Sequence, residues 1–266
     1  MEYSLPIPDD GRRRLAVGWL TLGLAALVGS GLYSVLLVLA RAPYVQNIFA
    51  RTDFFRTALV VHVDLSVLVW FIAFGGVLWS LNSTPRRLSL GWAALATSVL
   101  ATLIMMAAPL APEPNPLMSN YIPVLRQPLF LTGLLLFGLG SVLLVLRAMI
   151  AIPPVGMYLA GAGALRFGLN TAAVATLLAL IAFAWSYLLL PSLLEGRAFY
   201  ELLFWGGGHV LQFSYTLLML VAWLWLASAS GVRLPLTPRV TLLLFALGLV
   251  TVFLVPVIYY SAPVTS

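Results

Sequence analysis

Seven apolar runs follow one another along the chain, each near the roughly 20 residues that a helix needs to cross a hydrocarbon core about 30 Å thick. Lipid cannot satisfy a backbone N–H or C=O, so a segment that crosses it alone has to bond internally as an α-helix. The runs are Leu15 to Ala40, Ala58 to Leu81, Leu88 to Leu110, Pro128 to Leu146, Phe167 to Leu190, Leu202 to Ala227 and Val240 to Tyr260. Proline-bearing connectors separate several of them: Pro112, Pro114 and Pro116, then Pro153 and Pro154, then Pro235 and Pro238. The fold class expected is all-α, a polytopic membrane helix bundle with about seven transmembrane helices, forming a single transmembrane domain over residues 1–266. Composition agrees, since 8% of residues are charged against roughly 25% in an ordinary soluble domain.

The basic residues are all arginine, and they fall mostly between the runs. With the N-terminus in the cytoplasm, nine lie inside (Arg12, Arg13, Arg14, Arg86, Arg87, Arg147, Arg166, Arg233, Arg239) and five outside (Arg41, Arg51, Arg56, Arg126, Arg197). The positive-inside rule favours this orientation, with the C-terminus in the periplasm and the protein in a bacterial inner membrane. The first run is too long for the apolar part of a signal peptide and is expected to be retained. With no basic patch interleaved with aromatics, nothing supports a nucleic-acid partner. Cysteine is absent, which excludes disulfides, thiolate metal sites and thiol catalysis for this chain.

Histidine is then the strong nitrogen ligand left, and the chain has two. His62 lies about four residues into the second run and His209 about seven into the sixth, roughly 6 and 10 Å below the start of each at 1.5 Å per residue. An imidazole at membrane depth costs free energy unless it is ligated or hydrogen-bonded, so both are functional candidates. The bland alternative is a histidine that bonds a neighbouring helix. Ser66 and Trp70 fall on the His62 face at helical spacing and could wall a flat cofactor such as heme b. Arg51 and Arg56 precede that helix where heme propionates would emerge, although arginines there are also ordinary interfacial anchors.

Gly206, Gly207 and Gly208 precede His209, and glycines in a helix cost about 1 kcal/mol each relative to alanine. They suggest close approach of a bulky cofactor or a neighbouring backbone, or else helix packing. Asp64 lies about 200° around the helix from His62 and reads equally as a proton relay or subunit contact and as one half of a buried pair with an arginine. Glu195 and Glu201 are expected to be solvated, and Tyr259 and Tyr260 to belong to an interfacial tyrosine belt.

Three segments carry a resemblance to subunit I of the heme–copper oxidase superfamily, the cytochrome c oxidases and nitric oxide reductases. They are His62 with Ser66 and Phe71, Asn120-Tyr121-Ile122-Pro123-Val124 between the third and fourth runs, and Trp205, Gly208 and His209. The chain resembles the first seven of the family's usual twelve helices. The resemblance implies that His62 is an axial ligand of a low-spin heme, b or a, and that His209 is a ligand of the copper called CuB. It departs at Val210, Leu211 and Phe213, where the family's copper motif often has proline, glutamate and tyrosine, so no His–Tyr link is possible in the familiar register. The turn Leu81-Asn82-Ser83-Thr84 also lacks the acid of the best-known pumping oxidases.

A full heme–copper core needs six histidines, so four have to come from another chain or be absent. The reading this favours is a heme-binding subunit of a respiratory complex, one half of a split subunit I. It would move electrons from cytochrome c or quinol toward dioxygen or nitric oxide and need a partner chain to complete the oxidoreductase site. Two alternatives stand beside it. One is a non-catalytic b-type cytochrome with His62 and His209 on one heme, and the other is a degenerate structural or assembly subunit. No catalytic triad is expected, and no paired broken spans suggest a transporter.

Overall fold

The computed structural model describes residues 3–44, 53–156 and 160–262. Among them are seven helices long and apolar enough to cross a membrane: Gly11–Leu39, Phe54–Leu81, Leu88–Leu110, Pro128–Ile150, Gly161–Leu189, Gly196–Ala229 and Pro238–Ser261, hereafter spans one to seven. The protein is an all-α, multi-pass membrane bundle. The spans match the seven apolar runs, but most are longer. Span five starts six residues before Phe167 and span six starts six before Leu202, because a helix continues past the hydrocarbon edge for as long as its backbone stays bonded. At 1.5 Å per residue, the 34 residues of span six reach about 50 Å, well beyond the lipid core.

Local chemistry sets the ends. Asp10 caps span one by accepting from the Arg12 backbone N–H at 2.8 Å, and Thr237 caps span seven by accepting from Val240 at 3.3 Å. Pro128 and Pro238 occupy first-turn positions, where a missing N–H costs nothing. Span seven breaks at Phe253, where Pro256 has no N–H to offer the Val252 carbonyl. Span two contains a π-helical stretch, Asp64–Val69, immediately after His62, and the Trp70 N–H reaches back to the Leu65 carbonyl. Such wide turns occur often at functional sites.

Span one packs along span two, span three along span four, and span five along span six. The third and fourth approach most closely at Gly140, where a Cβ would stand 3.1 Å from the Ser98 nitrogen and 3.2 Å from the Ala94 carbonyl. The N-terminal segment is held to the connector between spans six and seven by Tyr3. Its buried hydroxyl lies 3.0 Å from the Leu236 carbonyl and 2.8 Å from Thr241 Oγ1. Outward faces are apolar, as at Val28, Val35, Leu135, Leu188 and Leu247.

The alternation of spans sorts the connectors between two ends of the bundle. The N-terminal end carries Arg12, Arg13, Arg14, Arg86, Arg87, Arg147, Arg166, Arg233 and Arg239, and the opposite end carries Arg41, Arg56, Arg126 and Arg197. Arg51 lies outside the described residues. At that opposite end the connector between spans three and four forms a short antiparallel ladder, pairing Pro116 with Leu125 and Leu117 with Val124. Asn120 and Tyr121 sit at its turn, and Tyr121 has φ of 67°.

The walls beside Gly140 are backbone atoms and cannot swing aside. Gly140→Leu is therefore expected to destabilise the solubilised protein by about 1–3 kcal/mol. A thermal melt followed by circular dichroism measures this, and Gly138→Leu, which faces open space, should leave it nearly unchanged.

Candidate functional site

His62 is half-buried on span two and faces Ser30 of span one. Its Nδ1 lies 2.9 Å from the Ser30 carbonyl oxygen, and a carbonyl only accepts, so Nδ1 carries the ring proton and donates. The Ser30 hydroxyl is 2.9 Å from that nitrogen and 3.0 Å from the His62 carbonyl. With Nδ1 already a donor, the hydroxyl proton goes to the carbonyl. The network thereby assigns the tautomer whose Nε2 keeps its lone pair. No described residue bonds that nitrogen. An imidazole with Nδ1–H on a backbone carbonyl and a free Nε2 is the usual state of a metal-ligating histidine.

Ser66 shares the His62 face but does not touch the ring. Its hydroxyl donates to the His62 carbonyl at 2.8 Å, which gives that oxygen two hydroxyl partners where the helix widens. Trp70 packs over Gly23 of span one and lies 5.8 Å from the Phe74 ring. Arg56 is exposed at the helix start, and its guanidinium approaches the Asp53 carboxylate at 3.9 Å. Phe71, two positions past the end of the wide turn, stacks on Tyr215 of span six at 4.6 Å.

His209 occupies a different setting. Its Nδ1 donates to the Trp205 carbonyl one turn earlier at 2.8 Å, and its Nε2 accepts from the Tyr121 hydroxyl, also at 2.8 Å. Desolvation pushes the Tyr121 pKa up, so the phenol stays protonated and serves as the donor. The three rings cluster, with centroids 4.8 Å apart for Tyr121 and His209, 4.9 Å for Trp205 and His209, and 6.0 Å for Tyr121 and Trp205. His209 and Trp205 are on the outer surface of the bundle, Trp205 with 51% of its area accessible. The helical starts lie eight residues before His62 and 13 before His209. The shared shallow depth therefore belongs to the apolar runs rather than to the helices.

The glycines before His209 admit neighbouring rings and, at Gly207, a neighbouring backbone as well, since a Cβ there would stand 2.8 Å from the Ala179 carbonyl oxygen. A Cβ on Gly206 would overlap the Tyr259 ring, one on Gly207 the Phe183 ring, and one on Gly208 the Tyr121 ring. Tyr259 is accordingly an interhelical residue whose hydroxyl lies 2.7 Å from Ser186 Oγ, whereas Tyr260 is exposed. Glu201 is not simply solvated either. It accepts from the Asn120 backbone N–H at 3.2 Å and from Arg197 Nε at 3.1 Å, which fixes the turn that carries Tyr121. These contacts join distant segments, and only the shared resemblance of the Tyr121 and His209 motifs hinted at them.

Asp64 is 1% exposed, and neither carboxylate oxygen has a hydrogen-bond partner among the described residues. The arginine pair considered for it is absent from the described residues. Tyr215 is the titratable group near enough to feel its charge. Among the described residues no three of His, Cys, Asp and Glu gather closely enough to hold a metal ion. Between spans two, four, five and six lies a cavity of about 510 Å³ without a charged group in its lining, walled by Leu68, Ile72, Phe137, Leu180, Phe204 and Leu211 among others. It offers apolar volume and no acid–base chemistry.

No protein-family model matches the chain, and no solved structure matches it. Among curated sequences it is similar to the uncharacterized protein RP382 of Rickettsia prowazekii (strain Madrid E), 32% identical over 252 residues that make up 82% of this chain and 48% of that protein. It is also similar to an uncharacterized protein of Aquifex aeolicus (strain VF5), 27% identical over 206 residues, 77% of this chain and 52% of that protein. The chain spans about half the length of the curated relatives it matches.

The Tyr121 contact is testable by nitrogen NMR of histidine-labelled protein. Tyr121→Phe is expected to move the His209 Nε2 resonance, leave His62 unchanged and cost about 1 kcal/mol of stability. Because the folded-state pKa of Tyr121 is raised, the contact is fully present below the ordinary phenol range near 10 and is lost as pH rises through the higher folded value. The wild-type Nε2 resonance should follow that alkaline transition, and its position in Tyr121→Phe should not.

Proposed function

We propose that this chain is a heme-binding subunit of a heme–copper oxidase-like respiratory complex in a bacterial inner membrane, equivalent to the first seven helices of subunit I. The observation that carries the reading is His62, an intramembrane imidazole whose Nδ1 proton is committed to a backbone carbonyl and whose Nε2 is left for a metal. The residues present fit an iron ligand there. His62 would hold the iron, and the Ser30 carbonyl would fix the ring's rotation and raise its basicity. Ser66 would steady the backbone behind it, while Trp70 on the same face would lend an apolar wall. Arg56, at the outer end of that helix, would meet the propionates. When bound, the heme supplies one-electron transfer between donor and acceptor.

The copper assignment fits less directly. His209 offers one imidazole, and its Nε2 is already engaged by Tyr121, so on this chain alone there is no copper site. Under this reading the Tyr121 hydroxyl gives way to the metal, and the missing histidines come from polypeptide beyond these 266 residues. Two observations support such a complement. The curated relatives carry about as much sequence again as the part they share with this chain. The outer face of span six sets His209, Gln212 and Thr216 in one exposed polar stripe; His209 and Thr216 bond within this chain, whereas the Gln212 amide could take from another helix a partner that lipid cannot offer. The arrangement with both histidines on one heme is disfavoured, since it requires His209 to abandon Tyr121 without gaining a second helix to cover that stripe.

With nine arginines at one end and four at the other among the described residues, the positive-inside rule supports an N-terminus in the cytoplasm and a C-terminus in the periplasm. Electrons would come from cytochrome c or quinol at the periplasmic side, where His62 sits, and go toward dioxygen or nitric oxide.

The test is the heme spectrum of the complex purified from its own membrane. His62→Ala is expected to abolish the low-spin heme band with helicity unchanged, whereas His209→Ala should retain that band and lose copper. Heme that persists at full occupancy in His62→Ala would overturn the assignment and leave a structural or assembly role.

A further inference from the structure

We propose that the arginine-rich end of the bundle carries a binding site for a phosphoryl anion, separate from the histidines. A cavity of about 210 Å³ opens there between the N-terminal segment, the turn after span two and the start of span five. Arg12, Asn82, Ser83, Thr84, Pro153 and Arg166 are among its lining residues, and no acidic side chain lines it.

Two guanidinium groups, Arg12 and Arg166, line it, and a third, Arg147, stands behind its wall at Ser83. Arg12 donates from Nη1 to the Ser83 carbonyl, while Arg147 donates from Nη2 to the Ser83 hydroxyl at 3.2 Å. One small residue thus holds two cations close enough for their charges to repel. Arg166 reaches the rim from span five and donates from Nη1 to the Pro154 carbonyl at 3.2 Å. Against these three stands one carboxylate, Asp10, bound to Arg12 at 2.8 Å.

Ordinary topology anchors behave differently. Arg86, Arg87, Arg233 and Arg239 extend into water, as snorkelling side chains do. Arg147 is 1% exposed, and its Nε has no acceptor; the Nε of Arg166 is likewise buried without one. A charge withdrawn from water without a counter-ion is expensive, so the buried Arg147 beside Ser83, together with the half-buried Arg166 at the cavity rim, calls for an anion. A phosphoryl group suits the place, because its several oxygens accept from guanidinium forks and from the hydroxyl of Thr84, another residue of the lining. Basic pockets between membrane helices commonly take lipid headgroups, and Leu5 and Leu81 at this rim would lie along the acyl chains. The same chemistry would accept free phosphate.

The experiment uses the full chain, delipidated in a non-ionic detergent. Its melting temperature is followed on adding dioleoyl phosphatidylglycerol, dioleoyl phosphatidylcholine or inorganic phosphate. Saturating phosphatidylglycerol is expected to raise it by roughly 5 °C or more while phosphatidylcholine does not. A rise with phosphatidylglycerol alone identifies a lipid headgroup, and an equal rise with inorganic phosphate identifies the free ion; either supports the site. Arg166→Gln should remove most of the shift. Arg166→Lys, which keeps the charge but loses the fork, should reduce it and serves if the glutamine variant does not fold. The proposal is overturned if neither anion stabilises the wild-type protein, or if both variants respond as strongly as wild type.

Discussion

The Ser30 carbonyl oxygen fixes more of this molecule than any other single atom. By accepting from Nδ1 of His62 it settles where the ring proton resides, which way the imidazole turns and which nitrogen remains for chemistry. It also joins span one to span two at the point where span two widens into its π-helical stretch. That widening and the bond depend on each other. The His62 carbonyl, at the entry to the wide turn, takes hydroxyl donors from Ser30 and Ser66, while the wide turn carries Asp64 inward and Phe71 onto Tyr215. A polar cluster at membrane depth is sustained because each donor meets an acceptor that lipid could not provide.

How far the sequence revealed this follows from the range of each interaction. The seven spans were legible because hydrophobicity over about 20 residues is a local quantity with a large free-energy consequence. Their ends were less so. The first turns of spans five and six, from Gly161 and Gly196, lie outside the apolar stretch and are set by backbone bonding and caps rather than by transfer to lipid. The wide turn in span two leaves no trace in the pattern: one extra residue rotates the following face by about 100°, but Leu65, Val67, Leu68, Val69, Phe71 and Ile72 are apolar all round, so no polar face marks the shift. His62 and His209 stood out because so few groups in the spans can ligate, but their partners did not. Ser30 is 32 positions from His62, and Tyr121 is 88 from His209.

The three glycines before His209 show how a correct physical premise leaves the neighbour open. Each lacks a Cβ because something must approach, and the sequence alone could not say whether that was a porphyrin, a backbone or a ring. Rings of Tyr259, Phe183 and Tyr121 occupy the three places, and at Gly207 the Ala179 carbonyl lies close as well. Gly208 is the consequential one, since it lets Tyr121 lie against the helix and reach Nε2 of His209. Glu201 complements it by holding the Asn120 N–H about two turns of helix away from that contact. Two side chains that read as a solvated acid and part of a loop are together the reason His209 has a defined orientation.

Polarity also distinguishes the two helices at the open side of the bundle. Span seven exposes mainly apolar side chains, including Leu243, Leu247, Val250, Leu254 and Ile258, and its exposed Thr251 hydroxyl donates to the Gly248 carbonyl of its own helix, so lipid suffices along its middle. Span six exposes apolar side chains as well, such as Phe213 and Leu220, but sets His209, Gln212 and Thr216 among them. His209 and Thr216 already bond within this chain, whereas the Gln212 amide gains nothing from acyl chains and would gain a partner from a hydrogen-bonding helix. The proposed complement therefore belongs against span six and not span seven. It also follows that an added helix there is expected to present a donor or acceptor at the level of Gln212, whether or not a metal lies beside His209.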